Sequence, residues 1–224
     1  MEYRYERKYD LDFLNKAYVI LSIKSHPYIF REIYKKRQIN NIYFDTPLMK
    51  NFNENINGDS NRNKVRIRWY GDTFSETKNP NLEIKSKNGH LGAKTKIALR
   101  PFKLKNKSNI TDLFNFKKEQ DIPENIKKTI KLLRPSLCNS YERIYFQDAS
   151  KNFRITIDEN LQYYSINNSN QINPIAQRAH DKIIMEVKYN KEIDSDFGDM
   201  AQFFKFRLSK FSKYVDGINE ISYS

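Results

Sequence analysis

The chain of 224 residues carries a formal net charge of +13, with 40 Lys and Arg against 27 Asp and Glu, 14% aromatic residues and one cysteine. That aromatic content excludes wholesale disorder, the length suffices to bury a core, and the charge asks for an acidic partner: nucleic acid, an anionic membrane or a small polyanion. Cys138 alone permits neither an internal disulfide nor a thiolate zinc site, which fits a reducing compartment.

The opening MEYRYERKYD is charged throughout and lacks the apolar stretch of a signal peptide, and no window approaches the roughly 18 apolar residues of a membrane helix. The resulting expectation is a cytoplasmic protein, with a membrane-bearing partner chain left open. Residues 4 to 9 alternate, with Arg4, Glu6 and Lys8 on one face and Tyr5, Arg7 and Tyr9 on the other. Asp10 or Asp12 is expected to cap a helix whose Phe13, Leu14, Ala17, Tyr18 and Leu21 pack in the core and which Pro27 ends. Residues 38 to 47 read as a strand, followed by a short amphipathic helix that stops at Gly58.

KVRIRWY, residues 64 to 70, is the clearest strand: Lys64, Arg66 and Arg68 alternate with Val65, Ile67 and Trp69. Period two gives a cationic face and an apolar face, and two guanidiniums at i and i+2 offer rigid forks of donors that match phosphate oxygens. Residues 82 to 88 place Glu83, Lys85 and Lys87 opposite Leu82 and Ile84, KNGHLG makes a hairpin turn, and 93 to 99 carries Lys94 and Lys96 on one face. Between 101 and 135, Phe114, Phe116, Ile126 and Ile130 suggest two helices broken at Pro123 and ended before Pro135. Strand alternation returns over 140 to 147, 153 to 158 and 182 to 189, with LQYYSI a further short strand. An aromatic-rich helix is expected from about Asp196 to Phe206. In the following RLSKFSKYVDGI, Lys210 and Lys213 are read on one side of a helical turn.

Strands with ionic residues on one face and apolar residues on the other admit two architectures. A sandwich would join the apolar faces and leave the charges in solvent; a closed barrel would turn the charges inward and cover its apolar exterior with helices. The barrel accounts for the amphipathic helices, and for Glu6, Glu83 and Glu186 standing singly among cations, as expected where a divalent metal sits beside phosphates. His26, His90 and His180 receive no role.

In order along the chain, RYERKY, NIYFDT, KVRIRWYG, LEIKSKNGHLGAK, SYERIYF, RITIDENL, IMEVKY and SKFSKYVDGI resemble the VTC domain, the polyphosphate polymerase domain of the vacuolar transporter chaperone complex and a branch of the triphosphate tunnel metalloenzymes. The resemblance spans Arg4 to Ile218. It implies an α+β fold over a single domain, residues 1 to 224: a closed antiparallel eight-stranded β-barrel, or tunnel, flanked by helices.

It further implies a polyphosphate polymerase that transfers phosphoryl groups from ATP with a divalent metal, Mn or Mg. Lys8, Lys210 and Lys213 would be catalytic; Arg66, Arg68, Lys85, Lys94, Arg143, Arg154 and Lys188 would bind phosphate; Glu186 and Glu6 would hold the metal. Lys94 and Lys96 compete for one position. The first strand reads RxExK where the wider superfamily has ExExK, which puts a two-metal hydrolase in doubt. Expected ligands are ATP, inorganic triphosphate and polyphosphate, with no nucleic acid, and with a separate membrane-embedded partner protein left open. A tunnel-fold triphosphatase and a non-catalytic module for polyphosphate or inositol phosphate stand as alternatives.

Overall fold

A computed structural model describes residues 4–12, 14–88, 91–105, 110, 122–179 and 182–222. The strands are β1 (Arg4–Asp10), β2 (Arg31–Asp45), β3 (Arg62–Tyr70), β4 (Lys78–Asn88), β5 (Leu91–Ala98), β6 (Arg134–Gln147), β7 (Arg154–Tyr164), β8 (Gln177–Ala179) and β9 (Ile184–Asn190). The helices are α1 (Lys16–Lys24), α2 (Lys50–Asn57), α3 (Glu124–Ile130), α4 (Asp194–Ala201) and α5 (Lys213–Ser222). The helix expected around Phe114 and Phe116 lies outside the described residues, as do His90 and His180. Among the described residues no helix is long and apolar enough to cross a membrane.

Strand order is β1-β9-β7-β6-β2-β3-β4-β5, with β8 also on β7. The expected closed barrel does not form: among the described residues no ladder joins β5 to β1, and the sheet is open. The outer edge of β1 is already used. Ser209 bridges Lys8, its N–H donating to the Lys8 carbonyl at 2.8 Å, and its Oγ accepts from the Asp10 N–H at 2.8 Å. Alternation fixes which face of a strand is apolar, whereas closure depends on tilt and stagger around the whole sheet.

Two compact units divide the chain, each built from three stretches. The first comprises Met1–Arg37, Tyr141–Leu161 and Ala179–Phe211; the second comprises Gln38–Ser140, Gln162–Arg178 and Ser212–Ser224.

In the first unit, the apolar faces of β1, β7 and β9 present Tyr9, Ile155, Ile157, Met185 and Val187 to Val19 and Ile23 of α1 and to Phe197 and Met200 of α4. Fully burying each such aliphatic side chain contributes about 1.5–3 kcal/mol. The side chain of Asn15 caps α1, its Oδ1 accepting from the Ala17 N–H, so the cap is neither Asp10 nor Asp12. Tyr18 and Leu21, expected in the core, are 45% and 64% exposed; the i, i+4 pair Val19 and Ile23 faces inward instead.

In the second unit, Val65, Ile67 and Trp69 of β3 join Leu82 and Ile84 of β4 beneath Leu104, Ile122, Ile130 and Leu133. Gly58 ends α2 with a left-handed φ of 75°, as expected. Helix α5 lies on the polar side of the sheet. Tyr214 stacks on Tyr43 at 5.1 Å, Lys64 Nζ donates to Ser212 Oγ at 2.9 Å, and Tyr163 donates to Asp216 at 2.6 Å. Gly217 permits this approach, since a Cβ there would stand 2.5 Å from the Tyr163 ring and 2.6 Å from Leu137. Asp45 anchors the arrangement, taking the Thr46, Asn51 and Phe52 N–H groups and the Tyr214 hydroxyl.

Candidate functional site

The register of β2, β3, β4 and β5 assembles a cationic face in the second unit. Arg66 stands opposite Tyr43 and Glu83, Arg68 opposite Asn41 and Asn81, and Lys85 opposite Lys64 and Lys94. Paired residues share a face of the sheet, so the alternation of KVRIRWY carries over to its neighbours. Glu83, 6% exposed, is the hub: Arg66 donates to its Oε2 through Nε at 2.9 Å and Nη2 at 2.7 Å, and Lys94 donates to Oε1 at 3.0 Å. Arg68 Nη1 lies 3.8 Å from Oε2, and its Nε donates to Asn41 Oδ1 at 2.9 Å. Arg66 also reaches the Tyr43 hydroxyl at 3.3 Å. Lys85 and Lys96 are exposed, and Lys213, half-buried, opens α5.

Burial by itself would raise the Glu83 carboxyl, but the charges of Arg66, Arg68 and Lys94 outweigh it and hold the group at about 2. A carboxyl depressed in the folded state stabilises the fold above its ordinary value of 4.5, and that contribution is lost as pH falls toward 2. Stability is therefore expected to drop by about 2–3 kcal/mol across this window on account of Glu83. Urea titrations should show a shallower decline between pH 4.5 and pH 2 in Glu83→Gln; an unchanged slope would refute the assignment.

The first unit holds a second cluster. Lys8 and Thr156 stand opposite Glu186 on the strands flanking β9, and Glu6 and Arg154 stand opposite Lys188. Glu186, 8% exposed, lies 2.9 Å from Lys188 Nζ, 3.8 Å from Lys8 Nζ and 4.0 Å from Arg143 Nη2. Lys8 also donates to the Phe211 carbonyl at 2.9 Å. Glu6 is exposed and reaches Lys188 at 3.8 Å; Arg154 is exposed. Arg143 is gripped by Asp158, Nη2 donating to Oδ2 at 2.6 Å and Nε to Oδ1. Burial opposes the Arg143 charge, yet Asp158 raises its pKa well above the ordinary value. Lys182 lies over the Phe211 ring at 5.5 Å. Lys210 is exposed and precedes α5, so the expected helical turn carrying both Lys210 and Lys213 is not formed.

His26 is structural: its Nδ1 accepts from the Tyr28 N–H and its Nε2 contacts the Met200 carbonyl at 3.0 Å, while burial lowers its pKa. Sequence reasoning assigned no role to Asp158, Thr156, Asn41 or Tyr43. Asp158 and Thr156 lie at i+4 and i+2 from Arg154 on one strand face, which was the available signal. The partnerships of Asn41 and Tyr43 depend on a register that no local pattern prints.

An antiparallel sheet whose apolar face is covered and whose other face gathers Lys and Arg around single buried carboxylates is the plan of a polyanion-handling protein. The chain matches the VTC domain over residues 3–221 and belongs to that family. Among solved structures it is similar to a candidate adenylate cyclase from Vibrio parahaemolyticus, at 12% identity and TM-score 0.55, covering 99% of this chain and 98% of that one. It is also similar to a candidate adenylyl cyclase from Hippeastrum, described as having a dominant triphosphatase activity, at 15% identity and TM-score 0.52, covering 96% and 93%. A protein from Pyrococcus horikoshii shares 12% identity at TM-score 0.50, with 98% of each chain covered. At such identities the likeness is one of fold. No curated protein sequence is significantly similar to the chain.

Proposed function

We propose that the chain is a phosphoryl-transfer enzyme that extends polyphosphate from ATP with the help of a divalent metal. The observation that supports this most is the convergence of cations on single buried carboxylates within each unit: Arg66, Arg68 and Lys94 on Glu83, and Lys8, Lys188 and Arg143 on Glu186. The carboxylates hold the cations in position before any phosphate arrives; the Glu83 cluster retains a positive surplus for the incoming anion, and in the Glu186 cluster, where Asp158 and Glu6 offset two of the cations, the exposed Arg154 opposite Lys188 supplies it. Phosphoryl transfer needs little covalent help from protein, so positioning and charge neutralisation carry the catalysis.

In the proposed reaction a terminal oxygen of the chain attacks the γ-phosphorus of ATP, the bond to the bridging oxygen breaks, and ADP leaves. In this reading Lys8 and Lys188 neutralise the equatorial oxygens, and Lys213 is the cation that α5 contributes in its own unit.

The metal fits the first unit on one count. Thr156 Oγ1 is buried without a hydrogen-bond partner among the described residues, and Thr156 stands opposite Glu186. A hydroxyl and a carboxylate are hard oxygen ligands, although no group of three acidic, His or Cys side chains gathers among the described residues. Mg²⁺ characteristically takes one or two carboxylates and completes its shell with water and substrate phosphates. Such an ion, bound, would withdraw charge from the transferred phosphate. Glu6 is the weaker candidate ligand because of its exposure. The proposed ligands are ATP, inorganic triphosphate and polyphosphate, and a separate membrane-embedded protein is the proposed partner for product removal.

Hydrolysis is the second reading, favoured by the triphosphatase activity described for the Hippeastrum protein. Purified chain incubated with ATP and Mn²⁺ is expected to yield long-chain polyphosphate and ADP. Orthophosphate without polymer would establish the triphosphatase reading instead, and no turnover of ATP or inorganic triphosphate would overturn both.

A further inference from the structure

The N-terminal half of strand β2 carries side-chain contacts that the phosphate clusters do not use. Unbroken alternation would put Lys35 and Arg37 on one face, with Tyr34 and Lys36 on the other. Instead the Arg37 guanidinium carbon lies 4.5 Å from the centroid of the Tyr34 ring and 5.6 Å from that of Tyr145, while Lys36 donates at 2.6 Å to Glu142, the neighbour of Tyr145 in sequence. Tyr34 and Tyr145 meet edge to face at 5.5 Å and 90°.

The result is a platform of two aromatic rings and a guanidinium, with Tyr34 45% exposed, Arg37 exposed and Tyr145 half-buried. Tyr145 is two residues from Arg143 on β6 and so points to the same face, about 7 Å along the strand. All four residues belong to the first unit.

We infer that Tyr34, Arg37 and Tyr145 form a nucleobase platform that holds the adenine of ATP beside the cation cluster around Arg143. Aromatic faces and guanidinium planes are the general means by which proteins stack a base, and stacking needs no base-specific hydrogen bond. A ring exposed to this degree beside phosphate-binding cations suits a ligand with one flat apolar end and one polyanionic end. Inorganic triphosphate has only the second. The inference rests on the proposed ATP-dependent function and specifies how that site tells a nucleoside triphosphate from a bare phosphate chain.

The test is calorimetric titration of the full chain with ATP and, separately, with inorganic tripolyphosphate, metal being chelated so that neither is turned over. Tyr34→Ala is expected to weaken ATP binding about 5- to 20-fold, as for loss of one base stack, and to leave tripolyphosphate within about twofold. Tyr34→Phe, which keeps the ring, should bind both as the parent does. Unchanged ATP affinity in Tyr34→Ala, or equal losses for both ligands, overturns the platform while leaving the functional reading intact. A parent chain that binds neither ligand under chelation and does not turn over ATP or inorganic triphosphate once Mn²⁺ is restored overturns the functional reading, and the platform with it.

Discussion

Asp158→Ala is expected to destabilise the fold by about 3–5 kcal/mol, the range for breaking a buried ion pair from one side. Asp158 is 1% exposed and Arg143 8%, and two donors of the guanidinium end on the one carboxylate. Without it the guanidinium keeps, among the described residues, Glu186 at 4.0 Å and the face of the Tyr141 ring at 5.4 Å, neither of which replaces two direct hydrogen bonds. Replacing both partners by apolar residues of similar volume, as in Arg143→Met with Asp158→Leu, should recover most of the loss because no charge is then left buried. Urea denaturation of the three proteins checks this. A loss below about 1 kcal/mol in Asp158→Ala would mean that water reaches Arg143 and that the pair behaves as a surface one.

Glu186→Gln should lower turnover by about 10²-fold, a usual cost of removing one electrostatic element of a transition-state site, while metal-free polyphosphate binds as well as before or more tightly. The direction follows from the neighbours. Glu186 is the carboxylate shared by Lys8, Lys188 and Arg143, so deleting its charge frees cationic potential for phosphate in the absence of metal and removes the carboxylate proposed to hold metal when it is present. Turnover and affinity thus separate. Wild-type turnover of ATP in Glu186→Gln at saturating Mn²⁺ would show the residue to be only a structural counter-ion.

The strands announced themselves wherever one face was buried and the other charged. Residues 64 to 70 fall within β3, the stretch expected over 182 to 189 begins two residues ahead of β9, and the apolar members of both are buried as alternation requires. Where that contrast fails, so does the reading. Residues 31 to 37 of β2 are exposed or half-buried on both faces, and the strand was legible only from Gln38 onward. Tyr163 and Tyr164 looked like a separate short strand but extend β7 beyond Asn160, whose left-handed φ of 53° interrupts the alternation. The candidate cations and the carboxylates Glu83 and Glu186 among them could be named from their faces; which cation meets which carboxylate could not. That Arg66 meets Glu83, or that Lys8 meets Glu186, depends on cross-strand register between stretches far apart in the chain, which local periodicity leaves undetermined. Closure of the barrel depends on tilt and stagger around the whole sheet, which local periodicity leaves undetermined as well.

The pairing of β1 with β9, from Arg4 opposite Asn190 to Asp10 opposite Ile184, bears on how the chain acquires its structure. Local turns cannot nucleate such a ladder, and the entropy of closing so long a loop must be met before any of its hydrogen bonds form. During synthesis β1 has no partner strand until β9 has left the ribosome, so an alternating strand with an apolar face waits exposed while the intervening stretch is made. Folding of the first unit is accordingly late and slow, and the Arg and Lys residues interleaved along β1 serve, in that interval, as gatekeepers against intermolecular pairing.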